Sequence, residues 1–379
     1  MKKIHLIAAA RPNFMKIAPL YHALAKEDWC RTSIVHTGQH YDHNMSDAFF
    51  QDLRLPKPHF HLEVGSGSHS EQMGNVMIAY EKVAIAEKPD WIIVVGDVNS
   101  TAACAIVGTK LSIPVVHLEA GLRSRDRRMP EEINRLVTDA IADVLWTPSP
   151  DADENLIAEG VPRQRIDFIG NIMIDSYEMM RESIAADTTF ATLGLIAKGF
   201  GVVTLHRPSN VDSRDTLTTL VNVLKQVSEK LPLVFAVHPR TRKKLQEFGL
   251  EASLLKTGQI RAVEPLGYVQ FMNLVSNSAA VITDSGGVQE ETTYLGIPCF
   301  TLRENTERPI TVTEGTNQLV QPERLLASVT ARLSASTRAP RKPALWDGHA
   351  AARAVECLRR RACVDGAQAP VAPLPRPIA

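Results

Sequence analysis

The chain has 379 residues, 44% hydrophobic and 22% charged, a balance that fits a globular protein with room for two domains. Lysine plus arginine and aspartate plus glutamate both number 42, so the formal net charge is zero. With no global basic field to hold a polyanion, nucleic-acid binding is set aside as the main task, though a local pocket for one diphosphate remains open.

The opening run MKKIHLIAAARPNF is basic and then apolar, as a signal peptide would be. Its apolar part, residues 4–10, is short and is stopped by Arg11-Pro12, so a first β-strand fits better. Further strands are expected at TSIVHTG, DWIIVVGD, IPVVHLEAG and DVLWTPS, then at GVVTLH, LVFAVHP, IRAVEPL and AAVITDSGG. Apolar residues at helical spacing fill 70–87, 101–111, 130–142, 215–230 and 350–361. Near-continuous apolar strands separated by helices predict parallel sheets covered on both faces. The pattern restarts near residue 200, which predicts an α/β protein of two doubly wound, Rossmann-like domains. The domains are expected at 1–172 and 173–345, with 170–198 as the passage between them. A Pro/Ala-rich tail at 364–379 reads as disordered. No 18-residue apolar stretch occurs, so no membrane span is expected and the protein is placed in the cytoplasm. Cys30, Cys104, Cys299, Cys357 and Cys363 are scattered, without C-x-x-C or zinc spacing, and read as free thiols of a reducing compartment.

Doubly wound sheets bind ligands beyond the carboxyl ends of their strands, and polar residues gather there in this chain. Arg11 follows the first strand, Gly38-Gln39-His40 the second, and Asp97 and Glu119 the next two. In the second half, His206 ends GVVTLH, and Ser285-Gly286-Gly287 follows AAVITD. Two glycines at a strand-to-helix turn let an anion approach the free N–H groups of the new helix; the alternative is a tight turn capped by Ser285. Glu290 and Glu291 are expected in the first turn of that helix, where they favour its dipole or accept from ribose hydroxyls. Arg308 reads as a phosphate clamp or a solvated charge, and Lys16 as a phosphate-neutralising or solvated lysine. Asp97, Glu119 and the Glu131-Glu132 pair, with His206, look like proton-transfer groups; salt-bridge partners, caps and helix-dipole partners are the alternatives.

The motifs ARPNFMKIAPL, TGQH, VVGDVNST, HLEAGLRS with PEEINR, GNIMIDS, TLHR, HPRT, PLGY and ITDSGGVQEETTYLGIPCFTLRENTERPIT, followed by EGTNQLV, resemble the non-hydrolysing UDP-N-acetylglucosamine 2-epimerases in order and spacing. The resemblance runs from about residue 3 to about residue 360. It implies a glycosyltransferase-B type fold with the active site in the interdomain cleft and the helix at about 346–363 returning to the first domain. It also implies a homodimer, a UDP-sugar substrate, and neither nicotinamide nor catalytic metal. The implied reaction is anti elimination of UDP to a 2-acetamidoglucal, then re-addition with the C2 proton on the opposite face. By position, Asp97, Glu119, Glu131 and His206 match catalytic residues. Arg11, Lys16, Phe271, Ser285, Gly286, Gly287, Glu291 and Arg308 match substrate-binding positions. Gln39, His40, Arg207 and His238 match parts of a regulatory site for a second UDP-N-acetylglucosamine. The chain departs from the family at Pro208-Ser209, where Arg-Glu is common, and at Tyr41-Asp42-His43-Asn44, where a basic residue is common. Competing readings are a hydrolysing epimerase, an epimerase of a related UDP-2-acetamido sugar, a glycosyltransferase of the same fold, and a non-catalytic UDP-sugar sensor.

Overall fold

Apolar runs without alternation become strands covered on both faces. Trp91–Val95, Val115–Leu118, Val144–Thr147, Leu233–Ala236 and Ala280–Thr283 are buried at every position. The computed structural model describes residues 1–9, 11–38, 53–256, 258–334 and 341–363, with only the backbone described at 11 and 12. The tail at 364–379 therefore lies outside the described residues.

The first sheet comprises β1 (Lys2–Ala8), β2 (Cys30–His36), β3 (Phe60–His61), β4 (Trp91–Val95), β5 (Val115–Leu118), β6 (Val144–Thr147) and β7 (Ile166–Phe168). Its order is β3-β2-β1-β4-β5-β6-β7. The second comprises β8 (Gly201–Thr204), β9 (Leu233–Ala236), β10 (Ile260–Val263), β11 (Ala280–Thr283), β12 (Cys299–Thr301) and β13 (Asn317–Leu319), in the order β10-β9-β8-β11-β12-β13. Every pairing is parallel. Each sheet starts in its middle, builds to one side, and then crosses to the other. The crossing leaves a switch point between β1 and β4 and another between β8 and β11, where this topology opens a ligand crevice. The two doubly wound units expected from the sequence are what the chain forms.

The strands that sequence reading missed are β3, β7, β12 and β13. Each is two or three residues long, too short to show a period. The IRAVEPL strand stops at Val263, ahead of Pro265, which has no N–H to give a ladder. The helices sit close to their expected places, at His69–Glu87, Asn99–Lys110, Pro130–Ile141, Arg214–Ser228 and Ala350–Ala362. Ser68 and Glu71 close a capping box at the start of the first of these.

By contacts the chain forms two compact units, Met1–Ser176 with the stretch from Ala344 onward, and Tyr177–Pro343. In the first, Val35, Val76, Tyr80, Ile92, Val94 and Leu145 belong to one buried cluster. In the second, Val203, Leu220, Leu224, Phe235, Ile282 and Phe300 do the same. The helix Ala350–Ala362 completes the first unit by packing on the helix Arg11–Leu24. Asp175 accepts the N–H groups of Ala350 and Ala351 at 3.1 and 2.7 Å, capping a helix start that its own His349 leaves uncapped. Trp346 Nε1 donates to the Pro148 carbonyl, and Arg361 pairs with Asp167 at 2.8 Å. In the second unit, Tyr294 lies where the unit's first and last residues meet. Its hydroxyl donates to Glu178, its ring meets Tyr177 edge-on, and Lys342 Nζ lies 4.0 Å from the ring centre.

Candidate active site

At the β1/β4 switch point, the turn after β4 is built on Gly96, whose φ of +68° suits glycine. An added Cβ there would lie 3.2 Å from Lys16 Nζ and 3.3 Å from Glu119 Oε2. The missing side chain is thus what lets Lys16 and Glu119 pair against this backbone. Both are buried, and Lys16 Nζ donates to Glu119 Oε2. The solvated reading of Lys16 is corrected, because the first turns of the helix Arg11–Leu24 aim it inward at the sheet end. Glu119 itself holds φ +72°, a left-handed conformation that costs a non-glycine residue about 1 kcal/mol or more.

Asp97, the next residue after Gly96, pairs with Arg135 from the helix Pro130–Ile141, and Asn134 Nδ2 donates to the Asp97 carbonyl at 2.9 Å. Arg135 also binds Glu132 through Nε at 3.0 Å and Nη2 at 2.6 Å. The structure separates the two glutamates of PEEINR. Both lie in the first helical turn, but Glu131 is exposed while Glu132 is buried. Glu132 accepts the Ser124 and Arg125 N–H groups at 3.0 and 2.8 Å. Burial opposes its charge, yet the Ser124 N–H and Arg135 hold its carboxyl below the usual carboxylate range. Glu132 therefore shapes the 124–125 loop, leaving Glu131 as the glutamate presented to solvent. Arg135 was missed by sequence reading, which had no signal for a cation spent on two acids 3 and 38 residues away.

At the β8/β11 switch point the organising group is Asp284, at the end of β11. It is fully buried and accepts the N–H groups of His206 and Arg207 at 3.0 and 2.9 Å and the Asn210 amide at 3.0 Å. His206 Nδ1 lies 2.9 Å from its other oxygen, so Asp284 fixes the imidazole at the end of β8. Burial opposes its ionisation, but the His206 and Asn210 bonds hold the carboxyl below its ordinary value. Sequence reading quoted Asp284 without giving it a role; an acid ending an apolar strand is the signal that singled out Asp97. His206 remains partly exposed, with its ring 5.6 Å from that of His238. His238 Nδ1 accepts the Arg240 N–H at the start of the helix Pro239–Glu247, and burial lowers its pKa. Arg207 Nε donates to the Asp284 carbonyl. Pro208 and Ser209 are exposed on a short helix, whereas Asn210 is buried. Gln39, His40 and the 41–44 departure lie outside the described residues, and Arg11 is described only as the first backbone residue of its helix.

Ser285 stands at the N-cap of the helix Gly286–Leu295 but makes no side-chain cap bond, so the first N–H groups keep their capacity for an anion. A Cβ on Gly287 would meet nothing within 4 Å, which marks an open approach. A Cβ on Gly286 would strike Arg308 Nη1 at 2.7 Å and Glu307 Oε1 at 2.8 Å. That glycine thus allows Arg308 to reach the helix start. Arg308 is buried, and its guanidinium lies 3.0 Å from Glu290 and pairs with Glu307, which corrects the solvated reading. Glu290 and Glu291 are not in the first turn. The helix starts at Gly286, so they are its fifth and sixth residues, buried in the second turn. Phe271 sits half-buried on the helix Tyr268–Asn277.

Burial, with Glu290 nearby, pushes the Glu291 carboxyl up to about 8. A carboxyl raised on folding contributes stability that is full below its unfolded pKa near 4 and lost as pH rises through 8. Glu291→Gln removes that loss. The variant is expected to melt roughly 5 °C or more above the wild type at pH 8.5, with the gap closing at pH 5. Calorimetry at both pH values checks this, and an equal gap at both would contradict it.

Among the described residues no cluster of three His, Cys, Asp or Glu is placed to hold a metal, and no helix is long and apolar enough to cross a membrane. The family model described as UDP-N-acetylglucosamine 2-epimerase matches residues 22–359. The chain is 42% identical over 342 residues to the UDP-N-acetylglucosamine 2-epimerase of Methanocaldococcus jannaschii, covering 88% of this chain and 92% of that one. It is 39% identical over 336 residues to the UDP-2,3-diacetamido-2,3-dideoxy-D-glucuronate 2-epimerase of Pseudomonas aeruginosa, with 88% and 92% covered. The crystal structure of the M. jannaschii enzyme in complex with UDP-GlcNAc and UDP superposes with a TM-score of 0.87 at 40% identity, over 94% of this chain and 99% of that one. With matches of this extent and a doubly wound architecture in both units, the chain belongs to the UDP-N-acetylglucosamine 2-epimerase family.

Proposed function

We propose that this protein interconverts UDP-N-acetylglucosamine and UDP-N-acetylmannosamine by eliminating UDP and adding it back. The observation that carries the reading is the pair of carboxylates, Asp97 and Glu119, at the ends of adjacent strands β4 and β5, each with its own cation. The C2 hydrogen has no neighbouring carbonyl to acidify it, so C1–O cleavage must assist its removal. The C1–O electron pair leaves with UDP while a base takes the C2 proton, giving a 2-acetamidoglucal. In the return step UDP attacks C1 and an acid delivers a proton to the opposite face of C2, so two acid/base groups are needed.

In this reading Asp97, Glu119 and Glu131 supply those groups and stabilise positive charge near C1, with His206 held ready by Asp284. The N–H groups of Gly286 and Gly287 and the Ser285 hydroxyl take the diphosphate with Arg308; in the first unit Arg11 and Lys16 are the substrate-binding cations. Glu291 accepts from the ribose and Phe271 lies at the uracil. Arg207 and His238, neighbours around Asp284, belong to a site for a second UDP-N-acetylglucosamine as activator. The exposed Ile78 and Ile85 on the helix His69–Glu87, with Ile133 and Val137 on Pro130–Ile141, support a homodimer. A cytoplasmic setting suits a nucleotide-sugar substrate.

The similarity to the P. aeruginosa 2-epimerase, close to that of the M. jannaschii enzyme, supports a second reading in which the sugar carries a 3-acetamido group and a carboxylate. Proton NMR of the protein with UDP-N-acetylglucosamine in deuterium oxide tests the first. UDP-N-acetylmannosamine with deuterium at C2 is expected. Free N-acetylmannosamine with UDP would make it a hydrolysing enzyme. Turnover only of the diacetamido uronate would establish the second reading.

A further inference from the structure

His117, on β5 two residues before Glu119, is fully buried, and both of its ring nitrogens meet acceptors. Nδ1 lies 2.6 Å from Asp139 Oδ1, and Nε2 lies 2.8 Å from the Gly96 carbonyl oxygen. A carbonyl only accepts, so Nε2 carries a proton. Asp139 Oδ2 takes the Gly121 N–H at 3.0 Å and Arg123 Nη1 at 2.7 Å; burial opposes its charge, yet His117 and Arg123 hold its carboxyl below the usual carboxylate range, so the proton shared with Oδ1 sits on Nδ1. Arg123 in turn makes a two-point pair with Glu159 at 2.8 and 2.6 Å.

The clamp reaches both proposed acids through the backbone. The Gly96 peptide immediately precedes Asp97; its N–H donates to the Leu118 carbonyl and its C=O accepts from His117. On the far side of Glu119, the Gly121 N–H is held by Asp139, and the Ala120 N–H donates to the Trp146 carbonyl. Gly96, Glu119 and Gly121 all have positive φ, at +68°, +72° and +82°. Such backbone persists only where neighbours over-determine it, and here one imidazole–carboxylate pair ties both turns to the helix Pro130–Ile141.

We propose that His117 is a positioning residue. As a doubly protonated ring held by Asp139, it sets the Gly96-Asp97 peptide and, through Asp139, the Glu119 turn, fixing the two carboxylates relative to one another. The inference rests on the roles given to Asp97 and Glu119 above. Misplacing reacting groups by about an ångström costs up to a hundred-fold in rate. His117→Asn keeps a donor towards Asp139 and loses the bond to Gly96. It is expected to lower kcat about ten- to hundred-fold, with KM and UDP affinity unchanged. His117→Gln, which reaches Gly96, is expected to recover part of the loss. A merely structural histidine would lower the active fraction or the melting temperature without restoring kcat in the glutamine variant. Nitrogen-15 NMR of histidine-labelled wild-type protein at pH 7 tests the clamp without any variant: one signal set with two protonated ring nitrogens is expected, absent from His117→Asn where that variant folds. A neutral tautomer at His117, or wild-type kcat in His117→Asn, overturns the proposal. Wild-type protein that leaves UDP-N-acetylglucosamine unchanged defeats the functional reading instead, and the NMR result still decides the clamp.

Discussion

Glu119→Gln is expected to lower kcat for C2 epimerisation about a thousand-fold, within the range seen when a positioned acid or base is removed. Size and shape are kept, so the loss reports the ionisable oxygen. The same change strips Lys16 of its partner, and removing one member of a buried pair costs about 3 kcal/mol. The two effects separate in a second variant. Lys16→Met with Glu119→Gln removes the stranded ammonium as well, so its melting temperature returns towards the wild type while activity stays low. Deuterium incorporation at C2, followed with thermal unfolding of the wild type, both single variants and the double, reads the two terms independently. Full exchange activity in Glu119→Gln would remove this carboxylate from the chemistry.

Asp284→Asn is expected to damage the second unit more than any change at its exposed glycines. Asp284 is fully buried and takes N–H groups from His206, Arg207 and Asn210. An asparagine brings its own N–H groups towards those donors, a loss of about 3 kcal/mol or more. His206 loses its orienting partner, so surviving folded protein should turn over at least ten-fold slower. The acid limb carries the sign. The Asp284 carboxyl sits below its unfolded value, so its contribution is complete above about pH 4 and lost as pH falls through the folded pKa. The wild type should therefore lose second-unit stability below pH 4 faster than the variant, in which nothing titrates at this position. Parallel acid melts of the two proteins would sink the assignment.

The strands that end at the candidate site were legible because each is a short apolar run ending in a polar residue, as at Val95–Gly96–Asp97 and Thr283–Asp284–Ser285. The pairings were not, because they join residues far apart in the chain. Lys16 meets Glu119 at a separation of 103, and His206 meets Asp284 at 78. Helical periodicity placed Lys16 on a helix but gave no account of which face meets the sheet. Glu131 and Glu132 were indistinguishable as letters. Only the loop at 124–125, folding back over the helix start, makes one a scaffold and leaves the other open. Edge strands of two or three residues take their form from a neighbouring ladder, so β3, β7 and β13 had no pattern to show.

The return of the helix Ala350–Ala362 to the first unit sets an order of assembly during synthesis. The part of the chain that leaves the ribosome first is the part completed last. Residues 177–343 have all their elements once residue 343 has emerged, with both ends meeting at Tyr294. The unit bearing Asp97 and Glu119 must wait, with Asp175 and the helix Arg11–Leu24 uncovered, until that final helix arrives. The half proposed to hold the nucleotide thus has its whole sequence before the half proposed to do the chemistry, and a ribosome stalled after residue 343 would carry a complete second unit beside an incomplete first.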